Sequence, residues 1–196
     1  GDFVWDVAAP LPLLVIADLI GFDESAHADL LRWSDDMLRA TTSDLTAELA
    51  EAGANAMLGF RELQLDVIAD RRAQPRDDLI STLVQAEIEG HRLDDESIVN
   101  EALLLLIGGD ETTRHVISGG VLALLQHPDQ LAALREDPSL LPSAVEELLR
   151  LHTPVMQVLR VVAQPTELHG VRMSPGDTVM VMLGAVGGGA FSVDDL

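Results

Sequence analysis

The 196-residue sequence contains no cysteine, no tyrosine and no lysine. Without cysteine it forms no disulfide, has no thiolate nucleophile and builds no cysteine-ligated zinc or iron–sulfur site. Nothing in it reports on redox compartment. A His-Glu-x-x-His or comparable ligand cluster is missing too, which argues against a metal hydrolase. Positive charge is scarce: twelve basic side chains, all arginine, stand against 33 acidic ones, for a formal charge of −21. The excess runs through both halves of the chain. Such a surface repels a phosphate backbone or an anionic bilayer, so nucleic acid and membrane are unexpected partners. The longest apolar stretches, 11–17 and 102–107, are far too short to span a bilayer, and no basic start leads into a hydrophobic signal segment. Gly and Pro keep an ordinary share, which excludes a low-complexity chain. The expectation is an acidic, soluble, cytoplasmic globular protein. Its hydrophobic content of 47 % is enough for a sizeable core in one domain or two small ones.

Most of the sequence reads as helix. A short apolar helix over 13–20 is bracketed by Pro10 and Pro12 and closed by Gly21. Asp23 is an N-cap candidate for a helix to about Ala40, with Leu30, Leu31, Trp33, Met37 and Leu38 as its stripe. A long helix covers 47–74, and one capped by Asp77 or Asp78 runs to about Glu89, where Gly90 ends it. The longest element spans 93–126, with Asp94 and Asp95 as N-cap candidates and His127-Pro128 as its stop. At ~1.5 Å per residue it measures about 50 Å, so it is expected to pass through the centre of the domain. Its middle, 102–107, is apolar all round and predicts burial on every face. Shorter helices follow at 129–135 and 143–151, the latter with Ser143 and Glu146 in a capping-box arrangement. After Pro154 the pattern turns to strands at 155–163 and 171–183, with a Ser174-Pro175-Gly176-Asp177 turn.

Three features carry candidate chemistry. Gly108-Gly109-Asp110-Glu111-Thr112-Thr113 lies inside the long helix. Two interior glycines cost a helix about 1 kcal/mol each relative to alanine, which suggests close approach of something to the backbone. The acid and hydroxyl beside them could relay a proton, and the helix is expected to widen there and free a carbonyl. The plainer alternative is a glycine kink with a solvated glutamate. Glu147 and Arg150 stand three apart on one helical face. Such pairs are usually surface ion pairs, but this helix is otherwise apolar, so burial is the other reading. Arg160 interrupts a β-branched run, either as an edge-strand guard or to hold a carboxylate-bearing ligand.

In this order, the three features resemble the cytochrome P-450 family, the haem-thiolate monooxygenases. That family's [Ala/Gly]-Gly-x-[Asp/Glu]-Thr-[Thr/Ser] motif is matched from Gly108 to Thr113, and its Glu-x-x-Arg helix by Glu147 and Arg150, with Glu147 lying 36 residues after Glu111. Its propionate-binding strand arginine corresponds to Arg160. The runs Glu167-Leu168-His169-Gly170-Val171 and Pro175-Gly176-Asp177-Thr178-Val179 look like the following hairpin. The segment from Phe3 to Gly21 resembles the stretch before the substrate-lid helices of bacterial members. The run 108–120 most resembles actinobacterial members that oxidise sterol side chains.

The resemblance implies a mainly α fold with a small β-sheet (α+β): the cytochrome P-450 fold in part, built around one long central helix. Residues 1–184 correspond to the central part of that domain, and 185–196 form a divergent Gly-rich tail in the manner of a frameshift or truncated frame. The family's amino-terminal third and its Cys-containing haem loop have no counterpart. The cofactor implied is haem b (heme, iron protoporphyrin IX), and the reaction is hydroxylation of a small apolar, possibly sterol-like substrate by O2 with a ferredoxin-type electron donor. Glu111 and Thr112 would be catalytic, as the proton relay. Leu105, Gly108, Gly109, Thr112 and Arg160 would contact the cofactor, Leu104, Met156 and Val158 the substrate. Glu147 and Arg150 would be structural. No metal ligand is assigned, so the chain alone is expected to be inactive, to bind no haem through a thiolate and to fold only marginally. The rivals are a non-catalytic helical binding module, an inactive gene remnant and, from Gly-Gly-Asp-Glu, a nucleotide cyclase; that last motif sits on a hairpin, whereas here it lies in a helical run.

Overall fold

The computed structural model describes residues 1–88 and 90–184, which fall in two compact units, Gly1–Arg114 and His115–Leu196. The proposed Gly-rich tail, 185–196, lies outside the described residues.

In the first unit a π-helical turn, Val4–Ala8, leads into α1, Pro10–Ile20. Gly21 ends α1 in the left-handed conformation at φ +110°, which a side chain would strain. A 3-10 turn, Glu24–Ala26, enters α2, His27–Arg39; Asp23 is extended beside it and makes no side-chain cap bond, contrary to its expected role. Helix α3, Ala47–Ala73, is capped by Thr46, whose hydroxyl accepts from the Leu49 amide at 3.2 Å. Helix α4, Leu79–Gln85, is capped by Asp78, and it stops four residues before the expected end. Beyond it β1, Glu87–Ile88, and β2, His91–Arg92, form a small antiparallel hairpin with Gly90 at φ +81°. The core gathers Leu13, Ala17 and Ile20 from α1, Leu30 from α2, Phe60 and Ile68 from α3 and Ile80 from α4, all at most 1 % exposed. Ile98, Ala102 and Leu106 of α5, Asp95–Gln126, complete it. Asp94 caps α5, accepting from the Ser97 amide at 2.8 Å.

A buried ionic clasp joins three helix ends in this unit. The Arg71 guanidinium on α3 donates to Asp78 Oδ2 at 2.5 Å and to the Gly21 carbonyl at 2.6 Å. Burial raises the Asp78 carboxyl, but the Arg71 bond and the Ser81 amide outweigh it and hold the group below its ordinary value.

In the second unit α5 runs to Gln126, and α6, Pro128–Glu136, follows directly. A 3-10 turn, Pro138–Leu140, enters α7, Leu141–Leu151. Leu140 occupies the N-cap position, so the expected capping box does not form; Ser143 is already inside the helix, its hydroxyl donating to the Leu140 carbonyl at 3.0 Å. Strand β3, Val158–Val161, pairs antiparallel with β6, Thr178–Val181, with Arg160 opposite Val179. Between them β4, Thr166–Leu168, pairs with β5, Val171–Met173. The expected 174–177 turn is present, with Asp177 accepting from the Ser174 amide at 2.7 Å.

Candidate active site on helix α5

Helical geometry sorts the α5 side chains into two faces. Positions 98, 102, 106, 110 and 114 recur every fourth residue, and all five are buried. Leu104, Leu105, Gly108 and Thr112 lie on the other side. There Leu104 is 68 % and Leu105 39 % exposed, Gly108 is exposed and Thr112 half-buried. The apolar segment 102–107 is therefore not buried all round, as its composition predicted: one face packs into the core and the other is bare.

The glycines divide in the same way. A Cβ on Gly109 would lie 3.2 Å from Ile16 of α1, so this residue lets two helices approach. A Cβ on Gly108 would meet nothing within 4 Å. Only Gly108 of the pair borders open space, and no packing within the described residues accounts for its missing side chain.

Thr112 closes this open row. Its hydroxyl donates to the Gly108 carbonyl at 2.7 Å. The helix stays α-helical from Asp95 to Gln126, so the expected local widening does not occur; the carbonyl gains a second donor instead of being freed. Because the hydroxyl proton is committed to Gly108, Oγ1 offers its remaining lone pairs to the open side.

Glu111 sits at the seam between the faces. Its carboxylate lies 2.8 Å from an Arg114 terminal nitrogen, which is also 3.1 Å from Asp110 Oδ2. Asp110 is fully buried, and its Oδ2 accepts from the Ser34 hydroxyl of α2 at 2.8 Å. Asp110 and Ser34 were not singled out from the sequence. Their signal was available in the four-residue spacing that lines Asp110 up with Ala102 and Leu106.

The second unit carries the other candidates. Glu147 is 2 % exposed and takes two bonds from Arg150, Nε at 2.5 Å and an NH2 nitrogen at 2.6 Å. This is the buried, two-pronged pair and not the surface one. Arg160 is exposed on β3, and its guanidinium donates to its own neighbour, the Leu159 carbonyl, at 2.8 Å. Met156 is 59 % exposed and Val158 half-buried. A second glycine pair, Gly119-Gly120, seats α7: a Cβ on Gly119 would lie 2.6 Å from His152 Nδ1, and one on Gly120 2.9 Å from Leu148. This pair is explained by packing, which sharpens the contrast with Gly108. Among the described residues no group of His, Asp and Glu could hold a metal ion, and no helix is long and apolar enough to cross a membrane.

A mainly helical fold with small antiparallel sheets, a long helix with an acid and a hydroxyl beside its bare glycine, and a buried Glu-x-x-Arg pair are the features of a partial cytochrome P450 fold. The chain belongs to the cytochrome P450 family, whose model matches residues 35–188. It is 45 % identical over 181 residues to the steroid C26-monooxygenase of Mycobacterium tuberculosis (strain ATCC 25618 / H37Rv), an alignment covering 92 % of this chain and 46 % of that protein. It is 37 % identical over 186 residues to the methyl-branched lipid omega-hydroxylase of Mycobacterium bovis, covering 91 % of this chain and 42 % of the other. Among solved structures, ligand-free cytochrome P450 TbtJ1 superposes with a TM-score of 0.84 at 39 % identity, over 95 % of this chain and 49 % of that one. CYP109E1 from Bacillus megaterium, solved with testosterone, gives 0.88 at 32 % identity, over 99 % and 54 %. The chain thus spans about half the length of the curated relatives it matches.

The family uses haem b. The residues on the bare face fit one side of such a group: a flat macrocycle needs an apolar strip without side-chain obstruction, which Leu104, Leu105 and the empty Cβ position of Gly108 provide. No cysteine occurs in the 196 residues, so they would supply no thiolate to the haem iron.

Proposed function

We propose that this chain is the central part, residues 1–184, of a monooxygenase that hydroxylates an apolar, sterol- or lipid-like substrate. The observation that carries the reading is the open Gly108 position with Thr112 Oγ1 bonded across it to the Gly108 carbonyl. Leu105, Gly108, Gly109 and Thr112 would lie along the haem, with Arg160 on a propionate. When bound, haem supplies an iron at which O2 is activated. Thr112 accepts a hydrogen bond at Oγ1 from the open side while its own proton stays on Gly108. Glu111, at the edge of that row, would be the acid–base group that takes up and releases protons, with Thr112 orienting the hydrogen bond beside it as an acceptor. Leu104, Met156 and Val158 keep water from the substrate, and the Glu147–Arg150 pair is structural. The sterol and lipid assignments are supported by the names of the relatives. A ferredoxin-type donor and a cytoplasmic location complete the reading. The isolated chain is inactive in it, because the thiolate must come from residues outside these.

The test has two arms. The isolated chain, mixed with haem, reduced and exposed to CO, gives no band at about 450 nm, since a thiolate ligand is required for it; such a band would overturn the inactivity. Grafted in place of the matching segment of the mycobacterial steroid C26-monooxygenase, residues 1–184 retain steroid hydroxylation. In that chimera Thr112→Ala lowers product formation about 100-fold, with O2 consumption less affected. A hydroxylation rate indifferent to Thr112→Ala and to Glu111→Gln would sink the relay.

A further inference from the structure

The motif position before Glu111 holds a second acid, and the relay does not use it. Asp110 is fully buried on the face of α5 opposite the bare strip. All its hydrogen bonds among the described residues run through Oδ2, which takes Ser34 Oγ at 2.8 Å and Arg114 at 3.1 Å, while Oδ1 is buried without a donor. A buried carboxylate with half its acceptor capacity unmet is tolerated only through its counter-charge, and Arg114 is that counter-charge. The same Arg114 nitrogen reaches Glu111 at 2.8 Å. One guanidinium is therefore divided between a sealed acid and an acid at the edge of the open face. The ring of Trp5, 5.8 Å from Arg114 Cζ, flanks it from the amino-terminal turn.

We propose that Asp110 is a positioning residue: held by Ser34 of α2, it draws on Arg114 and so sets how firmly Arg114 grips the Glu111 carboxylate. The proposal rests on the reading of Glu111 as the relay acid. Firmly paired, Glu111 is a poor proton donor; loosely paired, it picks up and releases a proton more readily. The four groups form one file, Ser34–Asp110–Arg114–Glu111, from α2 through the centre of α5 to its bare side. The charged groups in it are Asp110, Arg114 and Glu111, all on α5. The group that α2 contributes, Ser34, is neutral, and so is Trp5. Any change at Ser34 or Asp110 must therefore reach Glu111 through Arg114 or directly through space.

The 13C carboxyl titration of Glu111, read on the glutamate-labelled 196-residue chain without haem, separates these routes. Asp110→Asn releases Arg114 to Glu111 and lowers the midpoint by about half a unit or more. Ser34→Ala leaves Asp110 with one donor fewer, strengthens its hold on Arg114 and raises the midpoint. In an Arg114→Gln background the Asp110→Asn shift falls to less than half. A shift of equal size there means that Asp110 acts on Glu111 through space and overturns the proposal. So does a Ser34→Ala midpoint that is unmoved or lowered, and that milder variant decides the matter even if Arg114→Gln fails to fold. No arm depends on turnover, so failure of the relay in the chimera and failure of this positioning give different results.

Discussion

At position 108 an added Cβ would meet nothing within 4 Å, whereas at position 119 it would lie 2.6 Å from the His152 ring. The two glycines therefore answer the same substitution with opposite signs. Gly108→Ala stabilises this chain by about 0.5–1 kcal/mol through helix propensity, while Gly119→Ala destabilises it by about 1–3 kcal/mol through overpacking; urea titration of each measures the difference. In the chimera the stabilising Gly108→Ala lowers haem affinity, because the added methyl occupies the bare strip. Glu147→Gln strips a buried partner from Arg150 and costs about 3 kcal/mol by the same titration. The residues of these motifs were legible as residue types at a spacing. Asp110 was not, because its position in the motif tolerates many residues and its importance comes from burial against Ser34, 76 residues away in sequence.

Helix ends show where local chemistry decides and where it does not. Thr46, Asp78 and Asp94 have their side chains bonded to amides three residues on, and of these Asp78 and Asp94 were readable from the sequence as cap candidates, whereas Thr46 was not singled out. Asp23 and Ser143 have the same chemistry without the cap, because a 3-10 turn precedes the helix in each case and moves its start. Glu87 and Ile88 were read as the end of the preceding helix, and only their pairing with Arg92 and His91 makes them a strand. The Asp78 cap carries a pH prediction. Its carboxyl lies below the ordinary 3.8 when folded. Its contribution is therefore full above the unfolded value and is lost as pH falls from about 4 toward the lower folded value. Urea midpoints at pH 7 and pH 3 drop less between the two in Asp78→Asn than in the unaltered chain, and the variant is the less stable at pH 7.

Over the whole chain the charge of −21 opposes compaction, since 33 acids share twelve arginines. Salt screens this repulsion over about 10 Å at 0.1 M. The thermal midpoint therefore rises as NaCl goes from about 10 to 150 mM, and a midpoint that falls would mean that ion pairs such as Arg71–Asp78 outweigh the repulsion. The family and the mainly helical architecture were legible at this scale because motif spacing is a one-dimensional record of fold. The two-faced character of α5 was less so, because composition reports how much apolar surface a segment has and not which part of it is covered.

The seat of α7 on Gly119 and Gly120 also constrains how this sequence can change over generations. A Cβ on Gly119 would stand 2.6 Å from the His152 ring, so that glycine cannot gain a carbon while the imidazole keeps its size and place. Substitution is thereby ordered in time: the bulky partner must shrink first. An ancestor carrying alanine at 119 implies a smaller residue at 152 in the same molecule.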